Sequence, residues 1–430
     1  MRHFVILTAL TLSAACKPAP KTETATMKVD SASIAASGAA NDSMAGQPSD
    51  ASTIKDEALA TQVIQKALRV QPGDVVMIAG GTYLMPTMEE LAIKTVMAGG
   101  YSNILVNSDR VTRAVLKDAP EKYLGRSSTY FADWLRKTTV YVGLPTSPDP
   151  KATFADVPEA RMAKWNAGFQ AVYDMLNGSS LRGAYIDYPS KGAAAAVGMS
   201  YPAYARMQLS AIAADPEAMS RSGQALESRL HKAKSVHITS PAGTDITITL
   251  AGRSGIVDAG TLPPGAEKEK VFSKRWLNLP GGGVGVAPRE GSANGVIVTP
   301  KDQCKFRPVR DARYEVVKGA VAKVSAKTGQ TCLDELLAAY GVTFRQVGSI
   351  WIGLNPELKV VEEEGDYRPG NAAGLVTVGL GDNTLMGGSN KVPGASGFLL
   401  PIVGATVTVD DQTVVKDGKL AGPEMAVTGN

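Results

Sequence analysis

Apolar runs that alternate with helix-like segments are the feature that most restricts the fold of this 430-residue chain. Residues 75–79 form a continuous apolar run between Gly73 and the Gly80–Gly81 pair, as expected of a strand that is buried on both faces. Further strands are predicted at 103–106, 139–142 and 183–187, and helices at 86–98, from 109 onward, and at 158–176, 202–213 and 216–233. This alternation predicts an α/β first domain at 54–234, with a largely parallel sheet that carries helices on both faces.

The pattern changes after residue 234. Residues 235–239 and 244–250 alternate apolar and polar side chains around Pro241-Ala242-Gly243, which is typical of a β-hairpin. Further strands are predicted at 296–298, 314–324, 375–379 and 406–409, with one helix at 332–340. The sequence therefore predicts a strand-rich α+β second domain at 235–430.

The N-terminal segment predicts export from the cytoplasm. Arg2 precedes an apolar run at 4–12, which is about half of the ~20 residues that a membrane-spanning helix needs. The segment LSAAC, ending at Cys16, resembles the bacterial lipoprotein signal, in which residues 1–16 carry the signal and the cysteine is lipidated; simple secretion is the alternative. Lys17, in place of an aspartate, implies an outer-membrane anchor facing the periplasm. Residues 17–53 contain almost no large apolar side chain, which predicts a disordered tether.

Charge and cysteine usage restrict the partners and the compartment. The 45 basic and 41 acidic residues give a net charge of +4 and are scattered, so no nucleic-acid surface is predicted. Lipidation of Cys16 leaves Cys304 and Cys332 in an oxidising compartment. A disulfide between them is one expectation, and two unpaired buried thiols are the other.

Residues 278–295, NLPGGGVGVAPREGSANG, are dense in glycine, the residue with the greatest backbone freedom. Glycine at this density marks positive φ angles or a close approach of the backbone to another group. A ligand-binding loop and a plain glycine-rich hairpin loop both fit this stretch.

Catalytic signatures are scarce in this sequence. HExxH, CxxC, GxSxG and Walker motifs are absent, and the histidines are His3, His231 and His237. The second domain beyond His237 therefore cannot supply a His-Asp metal pair or a Ser-His-Asp triad. The polar candidates for a pocket are Arg289, Glu290, Asp382 and Asn383. They adjoin glycine-rich turns, where side chains and backbone groups can converge.

Four motifs resemble the aminopeptidase T family of thermophilic metalloaminopeptidases in order and spacing. They are PAGTDITITLAGR at 241–253, NLPGGGVGVAPREGSANGVI at 278–297, IGLNP at 352–356 and GLGDNTLMGG at 379–388. The run YPSKGAAAAVGMSYPAY at 188–204 is similar as well, so the resemblance covers about 54–418. It implies an α/β first domain, a strand-rich second domain, a homodimer, and two divalent metals held by glutamates, histidines and an aspartate.

The resemblance also implies where the metal ligands should lie, and this chain departs from each of them. The positions of the two glutamates fall on Gly283 and Gly370, and those of the terminal His-x-Asp pair fall on Gly397 and Leu399. A metal-dependent dioxygenase relative, similar around GLNP and GLGDN, needs histidines that are absent here as well. Losing carboxylates and imidazoles together removes the charge that offsets dehydration of a metal ion.

Two functions follow as expectations. The first is a metal-free envelope lipoprotein that binds a peptide or small molecule in the cleft between its domains, with no cofactor. The second is a metalloaminopeptidase of leucyl-aminopeptidase type, or another hydrolase, that holds Zn, Co or Mn through Asp382, Glu290 or Asp366.

Overall fold

The computed structural model describes residues 56–126, 129–250, 252–362 and 366–422. The predicted signal peptide, Cys16 and the tether lie outside these residues. Within the described ranges, no helix is both long and apolar enough to cross a bilayer.

The first half of the chain alternates helices and strands around one parallel sheet. Its strands are β1 Val75–Gly81, β2 Tyr101–Asn107, β3 Val140–Gly143 and β4 Arg182–Ile186. Its helices are α1 Asp56–Thr61, continued by a π-helical turn at Gln62–Ala67, then α2 Met85–Met97, α3 Asp109–Asp118, α4 Thr129–Arg136, α5 Pro150–Phe154, α6 Glu159–Ala167, α7 Gln170–Leu176, α8 Lys191–Ala196, α9 Tyr201–Ile212 and α10 Pro216–Lys232. The strand order is β2-β1-β3-β4, with a fifth strand beside β4, and every neighbouring pair is parallel.

The fifth strand of this sheet comes from the second half of the chain. Strand β8, Trp276–Leu279, pairs with β4 and brings Asn278 opposite Tyr185. The glycine-rich stretch therefore begins at the edge of the parallel sheet and leaves it through the cis peptide bond between Leu279 and Pro280.

The second half of the chain forms two antiparallel sheets. The larger contains β5 Ser235–Thr239, β6 Asp245–Thr249, β10 Asn294–Cys304, β11 Arg307–Val317, β12 Ala320–Ser325, β16 Thr406–Val409, β17 Gln412–Lys416 and β18 Lys419–Leu420. The smaller has the order β15-β14-β13-β9-β7, formed by β7 Ile256–Asp258, β9 Gly283–Val286, β13 Val347–Gly353, β14 Val376–Gly381 and β15 Gly397–Ile402. Helix α11, Gln330–Tyr340, lies between β12 and β13 in the chain.

A single apolar core joins the two antiparallel sheets. Ile246 and Ile297 from the larger sheet and Val284, Ile352 and Val378 from the smaller sheet are fully buried in it. Since side chains alternate along a strand, the opposite face of the smaller sheet carries Gly283, Gly285, Trp351 and Leu399. That face contains Gly283 and Leu399, two of the positions at which the family resemblance places metal ligands.

The predicted fold class is confirmed: a parallel α/β half is followed by a strand-rich half. Two local predictions were wrong. The helix predicted at 158–176 is two helices that separate at Gly168 and Phe169, and the strand predicted at 314–324 is two strands joined by a turn at Lys318–Gly319, where both residues have positive φ. The sequence analysis missed seven strands of the second half: β7, β8, β9, β13, β15, β17 and β18.

Candidate functional site

Two glycines of the 278–295 stretch, Gly283 and Gly285, lie under the side chain of Trp351. Gly285 pairs with Trp351 across β9 and β13, and Gly283 is two residues away on the same face. A Cβ atom added to either glycine would come within 3.0 Å of the Trp351 indole. Residues 283–286 of the stretch are therefore a buried strand whose glycines admit a tryptophan ring, and not a hairpin loop.

Hydrogen bonds fix the indole in this position. Trp351 Nε1 donates to Asn371 Oδ1 at 2.7 Å, and Asn371 Nδ2 donates to the Pro280 carbonyl at 2.8 Å. Gly370 directly precedes Asn371. The two positions at which the resemblance places glutamates thus lie beside the hydrogen-bonded pair of Trp351 and Asn371. Gly283 lies under the indole ring, and Gly370 is next to Asn371 in the chain.

The other two implied ligand positions lie on the edge strand β15. Gly397 pairs with Gly381 and Leu399 pairs with Gly379. Neither side chain can donate an electron pair to a metal. Among the described residues, no group of three or more His, Cys, Asp or Glu side chains has the arrangement of a metal site. The residues at these positions therefore do not fit a pair of divalent ions.

Asp258 is a buried carboxyl group that the sequence analysis did not select. It lies opposite Gly283 on β7, is 1% exposed, and accepts the backbone N–H groups of Asn278 at 2.8 Å and Gly260 at 3.1 Å. Burial raises the pKa of Asp258 to about 7, and the hydrogen bonds from Asn278 and Gly260 act against this rise. Asp258 thereby links the turn after β7 to Asn278, where the glycine-rich stretch begins.

The predicted candidates Glu290 and Asn383 are hydrogen-bonded to each other, and their contacts hold neighbouring loops in place. Glu290 accepts hydrogen bonds from Arg253 at 2.7 Å, from the Ser389 N–H at 2.8 Å and from Asn383 Nδ2 at 3.3 Å. Burial alone would raise the pKa of Glu290, but the bonds from Arg253 and Ser389 outweigh it and lower the pKa to about 2. Arg289 is exposed, and its N–H donates to the Thr249 carbonyl.

Asp382 is likewise occupied by its own loop. It accepts from the Thr384 N–H at 2.9 Å, from Thr384 Oγ1 at 2.7 Å and from the Val392 N–H at 2.8 Å. Burial raises the pKa of Asp382, and these hydrogen bonds oppose the rise. A role for Arg289, Glu290, Asp382 and Asn383 in ligand binding stays a prediction.

The two histidines of the folded part lie on the surface. His231 is exposed near the end of α10, and His237 Nε2 is 2.8 Å from Asp245 Oδ1 of the neighbouring strand. His237 is therefore exposed although it lies in a strand.

A cavity of about 190 Å³ lies between the two halves of the chain. Asp187, Val197 and Tyr204 line it from the first half, and Phe306 and Leu399 are among the lining residues from the second half. Asp187 directly follows β4, at the carboxyl end of the parallel sheet, which is where ligands of open α/β sheets bind. Arg289, Glu290, Asp382 and Asn383 do not line this cavity, whereas Asp366, a candidate metal ligand of the sequence analysis, and Leu399, an implied ligand position, do.

The tip of the β10–β11 hairpin closes one side of the cavity. Lys305 and Phe306 form the turn, with φ angles of 51° and 61°, and this turn places Phe306 in the lining. Gln303, which precedes the turn, donates from Nε2 to the Ala196 carbonyl at 3.3 Å.

Two links hold this hairpin tip. Lys305 Nζ lies 3.3 Å from Glu159 Oε1 of α6, with both side chains buried, and it also donates to the Val157 carbonyl. Burial raises the pKa of Glu159, and the charge of Lys305 opposes the rise. Cys304 and Cys332 form a disulfide that ties the tip to α11, with their Cα atoms 6.1 Å apart.

The parallel α/β half, the antiparallel second half and the cleft between them define the class of protein. A profile described as thermophilic metalloprotease (M29) matches residues 54–341. The chain therefore belongs to this family. Comparison with curated proteins gives no match.

Two solved structures share the fold across their whole length. Wild-type AmpT from Thermus thermophilus is 18% identical with a TM-score of 0.66, and the match covers 85% of this chain and 99% of AmpT. The 2,5-dihydroxypyridine dioxygenase from Pseudomonas putida KT2440 is 17% identical with a TM-score of 0.57, and the match covers 86% of this chain and 99% of the dioxygenase. Likeness at this identity shows the fold alone, and the chemistry has to be argued from the site.

Proposed function

We propose that this protein is a metal-free member of its family that binds a peptide or small molecule in the cleft between its two halves. The observation that carries the proposal is the Trp351 indole, which lies over Gly283 where the resemblance implies a metal-binding glutamate. The cavity beside Leu399 supplies space for a ligand.

The lack of metal-binding atoms at the implied ligand positions supports this proposal. A divalent ion in a protein needs several oxygen, nitrogen or sulfur ligands to offset its dehydration, and the ligand charge sets the acidity of a bound water. Gly283, Gly370, Gly397 and Leu399 offer none through their side chains. Trp351 adds a ring that a restored carboxylate at Gly283 would have to displace.

Membership of a metal-dependent family favours a second candidate, a hydrolase with non-standard ligands. Its best carboxylates are Asp382, Glu290 and Asp366. Each of these groups already receives hydrogen bonds or ion pairs: Asp382 from Thr384, Glu290 from Arg253, and Asp366 from Arg368 at 2.5 Å. A metal would have to replace these contacts, which makes this candidate the weaker one.

Activity measurements separate the two candidates. The mature protein would be assayed against amino-acid arylamides after incubation with Zn²⁺, Co²⁺ or Mn²⁺, beside Asp382→Asn and Glu290→Gln. We expect no turnover above the protein-free control in any sample. Metal-dependent turnover that either substitution abolishes would refute the metal-free reading and establish the hydrolase.

We also propose that the protein is anchored by lipid at Cys16 in the outer membrane and faces the periplasm. The sequence LSAAC and the apolar run before it support this location. A Cys16→Ser variant tests the anchor: it should leave the membrane fraction and appear in the soluble or secreted fraction. If the wild type is already in the soluble or secreted fraction, as the variant is, the lipid anchor is wrong and simple secretion stands.

A further inference from the structure

Strand β2 leaves one edge of the parallel sheet without a partner strand. Among the described strands, β2 pairs with β1 alone, and it runs for seven residues without a shift in register. The Tyr101 N–H donates to the Asp74 carbonyl at 2.7 Å, so the backbone of Tyr101 faces β1. Because the backbone groups of successive residues in a strand point to opposite sides, the N–H and C=O groups of Ser102, Ile104 and Val106 point outward.

The other sheet edges of the described residues carry features that block pairing between edges. In the larger antiparallel sheet, β18 has two residues, and β12 carries Lys323 and a register shift against β11. In the smaller sheet, β7 has three residues and β15 contains Pro401. Strand β8, at the far edge of the parallel sheet, has four residues and is followed by Pro280. Strand β2 is longer than each of these and contains neither a charged residue nor a proline.

Exposed apolar side chains surround this unprotected edge. Val106 of β2 is exposed, and so is Val111 of α3, the helix that directly follows β2. Tyr101 at the start of β2 and Val96 and Met97 of α2, which packs against β2, are 60% to 71% exposed. Apolar side chains gathered in one patch mark a contact surface for another molecule.

The free backbone groups decide which kind of partner fits this surface. A lipid bilayer offers apolar contact but cannot hydrogen-bond to a strand edge. Another strand offers both. A second copy of β2 is the strand that fits, because a two-fold axis makes one patch complementary to itself and an uncharged strand brings no like charges together.

We infer that β2 pairs antiparallel with β2 of a second copy of this chain, about a two-fold axis at Ile104, and so joins two parallel sheets into one. Ile104 then lies opposite the partner subunit's Ile104, and Ser102 lies opposite the partner subunit's Val106. Each outward N–H of one copy faces an outward carbonyl of the other, as the hydrogen-bonded pairs of an antiparallel ladder require. The side chains of Ile104 and Val106 extend the apolar contact across the axis, on the face where Ile104 packs against the core of the first half.

This pairing leaves the cavity between the two halves open. Strand β2 is three positions from β4 in the sheet, which at the usual spacing of strands is about 14 Å. Asp187, which lines the cavity, directly follows β4. The dimer therefore presents two separate cavities, and the inference does not depend on the proposed function.

Sedimentation of the mature protein carrying Cys16→Ser measures the oligomeric state without any acyl chain that could cause association. We expect dimers at micromolar concentration. Val106→Lys places a charge on each of the paired strands and should weaken association at least about tenfold. Val106→Pro removes an outward N–H and no bond to β1, so it should weaken association as well. Val342→Lys, the same change at an exposed valine of the second half, is the matched control and should dimerise as the unsubstituted chain does.

A cysteine cross-link tests the register of the two strands. Ile104→Cys should give a disulfide-linked dimer on a non-reducing gel, because residues opposite each other in a hydrogen-bonded antiparallel pair have Cα atoms about 5.5 Å apart. Ser102→Cys is the matched control: it lies roughly 14 Å from its own copy and should not cross-link. A mixture of Ser102→Cys and Val106→Cys chains should cross-link. Circular dichroism shows that each variant is folded.

The possible failures are distinct. A monomer in the unsubstituted chain overturns the inference. A dimer that neither Val106→Lys nor Val106→Pro weakens uses another surface and overturns it as well. A dimer that these changes weaken, but that Ile104→Cys does not cross-link or Ser102→Cys does, overturns the two-fold pairing about Ile104. The proposed function is decided separately, by its metal and hydrolysis measurements.

Discussion

Restoring a carboxylate at Gly283 should destabilise the protein and should not restore a metal site. In a Gly283→Glu variant the new Cβ would lie within 3.0 Å of the Trp351 indole, whose position is fixed by Asn371. Forcing extra atoms into a well-packed site costs about 1–3 kcal/mol. Burying a carboxylate without a partner adds roughly 1–3 kcal/mol. The expected loss in free energy of unfolding is therefore about 2–6 kcal/mol.

Urea denaturation followed by tryptophan fluorescence and circular dichroism measures this loss. Gly178→Glu is the matched control, because Gly178 is exposed, and an added Cβ would lie 3.7 Å from its nearest neighbour, the Met175 carbonyl oxygen. This control should change the free energy of unfolding by less than about 0.5 kcal/mol. A Gly283→Glu variant as stable as Gly178→Glu would refute the claim that Trp351 fills the glutamate position.

A double-mutant cycle shows whether the indole causes the loss. Trp351→Ala removes the obstructing ring, so Gly283→Glu should cost less in that background than in the wild type. We expect a coupling free energy of at least about 1 kcal/mol between the two positions, within the range measured for residues in contact. Additive losses would contradict direct overlap of the two side chains.

Three further predictions concern buried groups. The pKa of Asp258 is raised to about 7 in the folded protein. The stability that this group contributes is therefore present below its unfolded pKa and is lost as pH rises through about 7. In urea denaturation, the free energy of unfolding of Asp258→Asn should gain a few kcal/mol relative to that of wild type between pH 4 and pH 8. A pH-independent difference would contradict this. Lys305→Met leaves Glu159 buried without its cation and should lower the free energy of unfolding by about 3–5 kcal/mol. Adding Glu159→Leu to this variant should recover part of the loss. A further loss of stability in the double variant would contradict the buried pair. Replacing Cys304 and Cys332 by serine should lower the free energy of unfolding by about 2–4 kcal/mol in non-reducing buffer. The reason is that the disulfide joins residues 28 positions apart and so closes a long loop in the unfolded chain. A free energy of unfolding equal to that of wild type would contradict a stabilising disulfide.

The fold class was predictable from the sequence because parallel strands that are buried on both faces are short apolar runs. Val75–Gly81 and Val140–Gly143 are of this kind. Strand β9 was missed because Gly283–Val286 alternates glycine with valine, and glycine is depleted in strands. Its strand conformation depends on pairing with Trp351 on β13, a contact between residues distant in sequence that no local pattern contains.

The candidate site was predictable only in part. The resemblance identified Gly283, but the tryptophan over it follows from the register of two strands. Asp187 could have been found, since it directly follows a strand of the parallel sheet and ligands bind at that end. Asp302 could not, because its place at the cavity depends on the long β10–β11 hairpin, of which the sequence predicted only fragments.

Metal stoichiometry of the purified mature protein tests the central claim most directly. The protein would be equilibrated with excess Zn²⁺, Co²⁺ or Mn²⁺, freed of unbound ion by gel filtration, and analysed by inductively coupled plasma mass spectrometry. A protein whose ligand positions carry Gly283, Gly370, Gly397 and Leu399 should retain no stoichiometric metal. One or two tightly held ions per chain would contradict the account.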